Sequence, residues 1–475
     1  MTRRRFLTRM AGTAAATAVG RAAARDPAGL SGRRPNVVLI LTDDQGPGDM
    51  AWAGHPHLKT PHLDALRAQS LWFSAFQVSP TCAPTRCALL TGRHEFFSGV
   101  THTIFERERM SLNARTLPQA LKSAGYATGI FGKWHLGDED AYQPGQRGFD
   151  EVYIHGGGGI GQTYPGSCGD VPNNQYANPV LRHNGRFVRT KGFCTDLFFD
   201  EALRWIDTRR ASGAPFFCCL TPNAPHSPYH APDAWKKRYV AAGLDDAAAG
   251  FCGMVENLDA NVGKLLAALD AWDLSRDTLV LFLGDNGSCH SRLFDAGLRG
   301  AKGSPHEGGT RVGLLARWPG TVAGGTACDA LTAHVDLYPT LCALAGVVPP
   351  AGQPLDGRSL VPLLHAPDAA WPDRMLFTHV GRWAPGSDPD AAQHKTCAVR
   401  TARYRFVNHT ELYDMAADRK QTRNIAAEHP DEVARLRAAY DDWWASVRPH
   451  LENEAPHDVP LQNPYKTAYW QQFGF

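Results

Sequence analysis

Asn36-Val37-Val38-Leu39-Ile40-Leu41, followed by Thr42-Asp43-Asp44-Gln45-Gly46, is the stretch that sets the fold class of this 475-residue chain. The apolar, β-branched run predicts a strand buried on both faces, as in a parallel sheet. It ends at two adjacent carboxylates, which are costly together unless a positive charge binds them. A solvated turn that caps a helix would also use Asp. Because open α/β sheets bind ligands at the carboxyl ends of strands, we favour a cation site at Asp43 and Asp44.

Thr278-Leu279-Val280-Leu281-Phe282-Leu283 is a second buried strand, and it ends in Gly284-Asp285-Asn286-Gly287. Two further apolar runs end in side chains that bind ligands: Tyr126–Gly132 before Lys133 and His135, and Phe216–Leu220 before His226. Four strand ends that carry such side chains indicate one shared site. If only one strand end did so, a surface Lys and a structural His would be the preferred interpretation.

Helical patterns alternate with the strands over the first three quarters of the chain, which is typical of an α/β fold. Helices are predicted after Thr60 and over Thr116–Gly125, Thr195–Thr208, Phe251–Asp273 and Val335–Ala345, with further strands at Phe73–Val78 and Val312–Arg317. We expect a large doubly wound domain over residues 33–365, with a mostly parallel mixed sheet and helices on both faces.

The pattern changes after about residue 366. Arg374–Val380, Thr396–Arg400 and Tyr404–Val407 alternate like antiparallel strands, Glu411–Asp414 is a possible fourth, and Pro430–Val447 is a helix. Residues 366–475 are therefore predicted to form a smaller C-terminal α+β domain with an antiparallel sheet.

Charge excludes two classes of partner. With 49 basic and 47 acidic residues, the net charge is +2, so no global field directs the protein to nucleic acid or an anionic membrane. Thr2-Arg3-Arg4-Arg5-Phe6-Leu7 and the Ala-rich run after it resemble a twin-arginine signal over residues 1–32, although a basic tail is the alternative. We expect export, to the periplasm, without stable membrane insertion.

Eleven cysteines give an odd count without a CxxC pair or zinc spacing. Cys168 and Cys194, which flank a loop-rich region, are the pair to test for a disulfide. The segment 138–190 is predicted to be a long ordered loop that walls or covers a site. Its run Gly156–Gly161 satisfies GxGxxG, but we reject dinucleotide binding because no strand is predicted before it and no helix after it.

Cys82-Ala83-Pro84-Thr85-Arg86 is a short stiff frame, with a possible nucleophile and an anion-binding guanidinium. The alternative is a buried cysteine at a helix start. Lys302 lies in a Gly-rich stretch that can pass close to a ligand.

The polar residues as a set point to one chemistry. Asp43, Asp44, Asp285 and Asn286 are hard oxygen ligands, suited to Ca²⁺ or Mg²⁺ rather than zinc. Fixed cations beside such an ion, with two histidines, suit a sulfate or phosphate ester. These surrounding groups are Arg86, Lys133, Lys302, His135 and His226.

The chain resembles the formylglycine-dependent (type I) sulfatases of the alkaline phosphatase superfamily, including arylsulfatases. The resemblance rests on motifs in family order: Cys82–Arg86 with Leu90-Thr91-Gly92-Arg93, Gly132–Gly137, Asn36–Asp44, Pro225–Pro228, Gly284–Gly287 and Lys302–Gly309. It implies hydrolysis of aryl or carbohydrate sulfate monoesters to alcohol and sulfate.

The same resemblance implies the roles of the residues. A formylglycine-generating enzyme would oxidise Cys82 to 3-oxoalanine (formylglycine), whose hydrated gem-diol attacks sulfur. Asp43, Asp44, Asp285, Asn286 and residue 82 would hold Ca²⁺, or Mg²⁺. Arg86 would hold the nucleophile, Lys133 and Lys302 would bind sulfate oxygens, His226 would protonate the leaving group and His135 would act as base.

Three alternatives remain open from sequence. Phosphonate or phosphodiester hydrolases share the Cys-x-Pro-x-Arg frame and fold, and fold does not fix substrate. An inactive glycan-binding relative is disfavoured because every catalytic position is filled. A thiol enzyme centred on Cys82 and Cys87 leaves the acidic pairs unexplained.

Overall fold

The structure is a computed structural model that describes residues 29–164, 168–454 and 463–474. The described residues form these strands: β1 Asn36–Thr42, β2 Leu71–Phe73, β3 Phe76–Gln77, β4 Ala127–Lys133, β5 Glu151–His155, β6 Val180–His183, β7 Arg186–Arg189, β8 Phe216–Thr221, β9 Thr278–Gly284, β10 Leu314–Arg317, β11 Ala327–Cys328, β12 Thr332–Ala333, β13 Leu376–His379, β14 Cys397–Arg400, β15 Tyr404–Val407 and β16 Glu411–Asp414.

The α-helices alternate with the strands up to about residue 365 and then follow them. They are α1 Pro61–Ala68, α2 Cys82–Thr91, α3 Leu117–Ser123, α4 Cys194–Arg210, α5 Asp233–Ala241, α6 Asp246–Ala271, α7 Glu307–Thr310, α8 Leu337–Ala345, α9 Val361–His365, α10 Pro430–Val447 and α11 Pro464–Phe473. No helix within the described residues has the length and apolar character needed to cross a membrane.

The main sheet has ten strands in the order β11-β2-β10-β9-β1-β8-β4-β5-β6-β7. Its centre, β9-β1-β8-β4-β5, is parallel. On one side of this centre, β10 pairs antiparallel with β9. On the other side, β6 pairs antiparallel with β5, and β7 pairs antiparallel with β6. The predicted mostly parallel mixed sheet is confirmed.

Strand β1 is buried on both faces, as its apolar run predicts. Val37, Leu39 and Leu41 pack into one core with helices α2, α3 and α8, whereas Val38 and Ile40 pack into a second core with α1, α4 and α6. Each fully buried aliphatic side chain of this kind contributes about 1.5–3 kcal/mol. The doubly wound arrangement therefore follows from continuous apolar strands.

The C-terminal unit is an antiparallel sheet, β13-β14-β15-β16, covered by α10. Phe377 on β13 stacks on Trp443 of α10 with ring centroids 5.1 Å apart. This confirms the predicted α+β unit. Helix α11 returns to the main sheet, where Tyr465 packs edge-on against Phe187 of β7 at 5.1 Å.

Two expectations about strands were wrong. The single strand over Phe73–Val78 is two: β2 pairs in the main sheet, and β3 pairs with β12 in a separate one. Segment 138–190 is also not only a loop, because it contains β5, β6 and β7. Its β6–β7 turn is Asn184-Gly185, both at positive φ, a hairpin signal that the sequence carried.

The cysteine expectation was also wrong, since Cys168 and Cys194 are both unpaired, as are the other nine thiols. Cys194 begins α4, while the Sγ atom of Cys168 lies 3.1 Å from Nε2 of His135. Most of the proposed signal, residues 1–28, lies outside the described residues.

Candidate active site

The register of β1 and β9 places the acidic residues side by side. Thr42 pairs with Gly284 at the ends of the strands, and the N–H of Asp285 donates to the carbonyl of Thr42 at 2.9 Å. The N–H of Asp44 donates to Oδ1 of Asp285 at 3.0 Å. Asp44 has φ +67°, a conformation that a non-glycine residue adopts at a cost of about 1–3 kcal/mol. The backbone itself therefore brings the carboxylates together.

Each carboxylate has a cationic partner. The distances are 2.8 Å from Nζ of Lys133 to Asp43, 2.8 Å from Nη2 of Arg86 to Asp285 and 2.7 Å from Nζ of Lys302 to Asp44. The three carboxylates are 0–2% exposed. Residues from five separate stretches of sequence thus meet at one edge of the sheet.

Burial and neighbouring charges shift the pKa values of the ionisable groups in this cluster. Burial opposes the charge of Asp44, but Lys302, His226 and Lys133 outweigh it and hold its pKa well below the usual range. Burial and the charge of Asp43 raise the pKa of Asp285 to about 6. Burial opposes the charge of Lys302 as well, but Asp44 raises its pKa above the ordinary value. The site therefore holds fixed charges of both signs.

Cys82 is the first residue of α2, after an extended Thr81. Its Sγ atom and carboxylate oxygens of Asp43 and Asp285 lie within 4.8 Å of one another. Arg86 lies one helical turn later on the same face, and it also donates to the carbonyl of Lys133 at 3.1 Å. Burial raises the pKa of the Cys87 thiol, which is typical of a packed side chain and does not favour a thiol enzyme.

His135 has one ring nitrogen fixed and one free. Its Nε2 lies 2.7 Å from the carbonyl of Thr103, and since a carbonyl only accepts, Nε2 carries the proton. Nδ1 is buried and has no hydrogen-bond partner among the described residues. Burial lowers the pKa of His135 well below its usual value. This histidine thus presents an unprotonated nitrogen, as a base requires.

His226 lies between Pro225 and Pro228 on the loop after β8. Its Nδ1 donates to the carbonyl of Ser227 at 2.6 Å, and its Nε2 lies 3.7 Å from Asp44. Burial lowers the pKa of His226 to about 4 in this site. Nε2 is therefore the ring atom that faces the acidic cluster.

The acidic residues fit a hard divalent cation. Nδ2 of Asn286 donates to Oδ1 of Asp44 at 2.9 Å, which leaves its own Oδ1 buried without a hydrogen-bond partner among the described residues. An orphan amide oxygen beside three carboxylates is a donor set for Ca²⁺ or Mg²⁺.

The glycine run forms a wall of the site, and here the sequence analysis was partly wrong. Strand β5 does precede Gly156, although no helix follows directly among the residues that the structure describes there. A Cβ placed on Gly158 would lie 3.4 Å from the His135 ring, and one on Gly159 would lie 3.2 Å from Nδ1 of His226. The run therefore lets backbone pass close to both histidines rather than binding a dinucleotide.

Sequence reasoning missed three neighbours of the site. Thr103 and Cys168 contact His135, and no motif marks either residue. Arg382, from the C-terminal unit, donates to Oγ1 of Thr103 at 3.3 Å and lies 4.0 Å from the Cβ position of Gly303, next to Lys302. Arg382 is exposed and has φ +46°. Arg382 thus lies near Thr103, which contacts His135, and near Gly303, the neighbour of Lys302.

Known proteins resemble this chain over most of its length. The family model Sulfatase matches residues 35–347, and the model for the C-terminal part of N-sulphoglucosamine sulphohydrolase matches residues 301–439. N-acetylgalactosamine-6-sulfatase of Rattus norvegicus is 33% identical over 70% of this chain and 66% of its own length. Arylsulfatase A of Homo sapiens is 35% identical over 82% of this chain and 79% of its own length.

A solved structure extends this similarity to the whole fold. It is described as Ps i-CgsB in complex with k-i-k-neocarrahexaose and has a TM-score of 0.77 at 27% identity. The match covers 92% of this chain and 97% of that one. The similarity thus includes the C-terminal unit.

Proposed function

The chain belongs to the sulfatase family of sulfuric ester hydrolases, and we propose that it hydrolyses a sulfate monoester of a glycan through a formylglycine at position 82. The observation that carries this proposal is the convergence of Cys82 with Asp43 and Asp285, whose donor atoms lie within 4.8 Å of one another. Lys133 and Lys302 lie beside them, as an anionic substrate requires.

Asp43, Asp44, Asp285, Asn286 and residue 82 would hold the cation, Ca²⁺ in preference to Mg²⁺. Once bound, a divalent cation supplies Lewis-acid polarisation of its oxygen ligands. Oxidised and hydrated, residue 82 supplies a geminal hydroxyl as nucleophile. The buried orphan oxygen of Asn286 supports this assignment.

The cationic side chains would bind and neutralise the sulfate group. Arg86 is held by Asp285 and by the Lys133 carbonyl, so its guanidinium is fixed beside residue 82. Lys133 and Lys302 are placed to bind sulfate oxygens and to stabilise negative charge that develops in the transition state. Because these groups are ordered before substrate binds, little reorganisation opposes the reaction.

The two histidines would act as general acid and general base. His226 presents Nε2 to the site and would donate a proton to the leaving oxygen, since the negative charge of a bound substrate favours the protonated ring. His135 presents the unpartnered Nδ1 and would take a proton from the second hydroxyl of residue 82. The hydrogen bond to Thr103 holds the ring for this role.

The names of relatives support a carbohydrate sulfate as substrate, although aryl sulfates remain a second class. N-acetylgalactosamine-6-sulfatase is named for a sulfated sugar, and the Ps i-CgsB structure contains k-i-k-neocarrahexaose. The proposal includes maturation by a formylglycine-generating enzyme, export by a twin-arginine signal at 1–32, and domains at 33–365 and 366–475.

The test is a substrate panel combined with mass spectrometry. The protein is co-expressed with a formylglycine-generating enzyme, and the peptide that contains residue 82 is analysed for oxidation. Sulfate release is then measured on sulfated mono- and oligosaccharides and an aryl sulfate, with an aryl phosphonate and a phosphodiester as competitors. We expect oxidised residue 82 and the highest kcat/KM on a sulfated sugar.

Two outcomes would contradict the proposal. Faster turnover of the phosphonate or phosphodiester would assign the site to that reaction. An unmodified thiol at residue 82 together with no sulfate release would indicate an inactive glycan-binding relative.

A further inference from the structure

A second cluster of metal-binding side chains lies in the C-terminal unit, separate from the candidate active site. His394 lies in the turn before β14, His409 in the turn between β15 and β16, and Asp441 on α10. One ligand atom from each lies within 4.8 Å of the others. Nε2 of His394 is 2.9 Å from Oδ1 of Asp441, and the two imidazole rings are 3.9 Å apart.

His409 is the buried member, and nothing in the described protein satisfies its ring. It is 8% exposed, and neither ring nitrogen has a hydrogen-bond partner among the described residues. Leaving a buried polar group unpaired costs about 1–3 kcal/mol. A neutral imidazole offers one nitrogen lone pair to a metal ion, and no hydrogen bond among the described residues occupies it here.

The surrounding contacts hold this ring and its neighbours in place. Phe406 and Tyr440 pack against His409 at 5.4 and 4.7 Å, and Nε2 of Gln393 donates to Oδ1 of Asp441 at 3.0 Å. Arg437, one turn before Asp441 on α10, donates to the carbonyl of His409 at 3.0 Å. The three donors are therefore positioned by three separate elements.

We propose that His394, His409 and Asp441 form a Zn²⁺ site that ties the β15–β16 turn to helix α10. Two imidazoles and one carboxylate are the donors that zinc prefers, in contrast to the all-oxygen protein donors at the candidate active site. His394 and Asp441 are 49% and 43% exposed, so the ion has access from solvent. Water would complete the coordination.

The test uses the metal-stripped full-length protein in excess Ca²⁺, so that the active-site carboxylates are occupied. Zinc binding is measured by equilibrium dialysis, and thermal unfolding is followed with and without Zn²⁺. We expect about one tightly bound zinc per chain and a higher Tm in its presence. His394→Ala and Asp441→Asn, both at half-exposed positions, should weaken binding by more than about tenfold and abolish the Tm rise.

Matched controls are His365→Ala, an exposed histidine at the end of α9, and Asp442→Asn, the exposed neighbour of Asp441. Both should bind zinc like the wild type. The proposal is overturned if the wild type binds no zinc, or if His394→Ala and Asp441→Asn bind it as tightly as the controls. Sulfate release plays no part in this test, so its outcome is separate from that of the proposed function.

Discussion

Cys82 and Cys87 are two buried thiols of the same helix with different surroundings. Cys82 faces Asp43 and Asp285, whereas Cys87 packs in the apolar core. We expect Cys82→Ala to fold and to lose kcat/KM for a sulfated substrate by about 10⁴-fold or more, because the precursor of the nucleophile is removed. Cys87→Ala should retain turnover with a small loss of stability. Steady-state kinetics and thermal unfolding check both, and undiminished turnover by Cys82→Ala would refute the mechanism.

We predict that Arg382 binds an anionic group of the substrate adjacent to the scissile sulfate. It lies near Thr103, which contacts His135, and near Gly303, and no carboxylate in the described part of the chain forms a salt bridge with it. We expect Arg382→Ala to raise KM for a glycan with a second sulfate or carboxylate by roughly tenfold, since a charge-assisted hydrogen bond contributes about 1.5–3 kcal/mol. Arg382→Lys should recover part of this loss. An unchanged KM would exclude Arg382 from substrate binding.

Cation removal should separate activity from folding. Asp43, Asp44 and Asp285 keep Lys133, Lys302 and Arg86 as partners, so the cluster is not left uncompensated without a metal ion. We expect chelation to abolish sulfate release while unfolding stays cooperative. Ca²⁺ at about 100 times its Kd should then restore activity and add about 2.7 kcal/mol to the free energy of unfolding. Full activity after exhaustive chelation would contradict the cation assignment.

At the scale of elements, α7 is tied to the C-terminal sheet by one buried carboxylate. Oε1 of Glu307 accepts from Arg400 of β14 at 3.0 Å and from Arg405 of β15 at 2.8 Å, and Oε2 accepts from Arg311 at 3.3 Å. Burial opposes the charge of Glu307, but these arginines outweigh it and hold its pKa well below 4.5. The ion network therefore joins the loop that carries Lys302 to the C-terminal unit.

Glu307→Gln should destabilise the protein by about 3–5 kcal/mol at pH 7, because it leaves buried arginines without their counter-ion. Since the folded-state pKa is depressed, the stabilisation is complete above about pH 4.5 and is lost as the pH falls below that value. The difference between wild type and variant should therefore narrow in acid. Urea unfolding at several pH values measures it.

Glu428→Gln is the matched control, because Glu428 forms an exposed pair with Arg423 at 2.8 Å. Such a pair contributes about 0–1 kcal/mol. The prediction is contradicted if the two variants lose similar stability. It is also contradicted if the difference in unfolding free energy between wild type and Glu307→Gln does not vary with pH, because the buried network would then not stabilise the contact between the units.

The sequence predicted the elements whose pattern is local. Apolar β-branched runs gave β1 and β9, and the hard-ligand residues after them lie together because parallel strands end at one edge. Strands β5 to β7 were missed because each is only four or five residues long and contains charged residues or histidine. The contact of Thr103 with His135, and the pairing of Glu307 with Arg400, join residues far apart in sequence. Such contacts have no periodicity, so only the folded structure reveals them.

At the scale of the molecule, helix α11 packs against the main sheet beside the glycine run of the site. Helix α11 lies against β7, and the ring of Tyr465 is 3.2 Å from the Cβ position of Gly156. Gly158 and Gly159, in the same run, lie next to His135 and His226, where an added Cβ would contact the rings. Helix α11 therefore supports the glycine run that lies beside the two histidines, although α11 is remote from those histidines in sequence.

Tyr465→Ala should test this support. The side chain is 1% exposed, and replacing a buried aromatic residue with Ala costs about 3–5 kcal/mol. Because Tyr465 is the one buried residue among the described residues of α11, we expect local release of the helix rather than global unfolding. We expect kcat/KM to fall by roughly tenfold as the glycine run loses its backing. Limited proteolysis and kinetics measure the two effects.

Tyr465→Phe should retain activity, since the hydroxyl has no hydrogen-bond partner among the described residues. Trp470→Ala, at a residue of α11 that is 39% exposed, should leave α11 docked. Equal losses of activity in Tyr465→Ala and Trp470→Ala, or none in either, would mean that docking of α11 does not order the histidines.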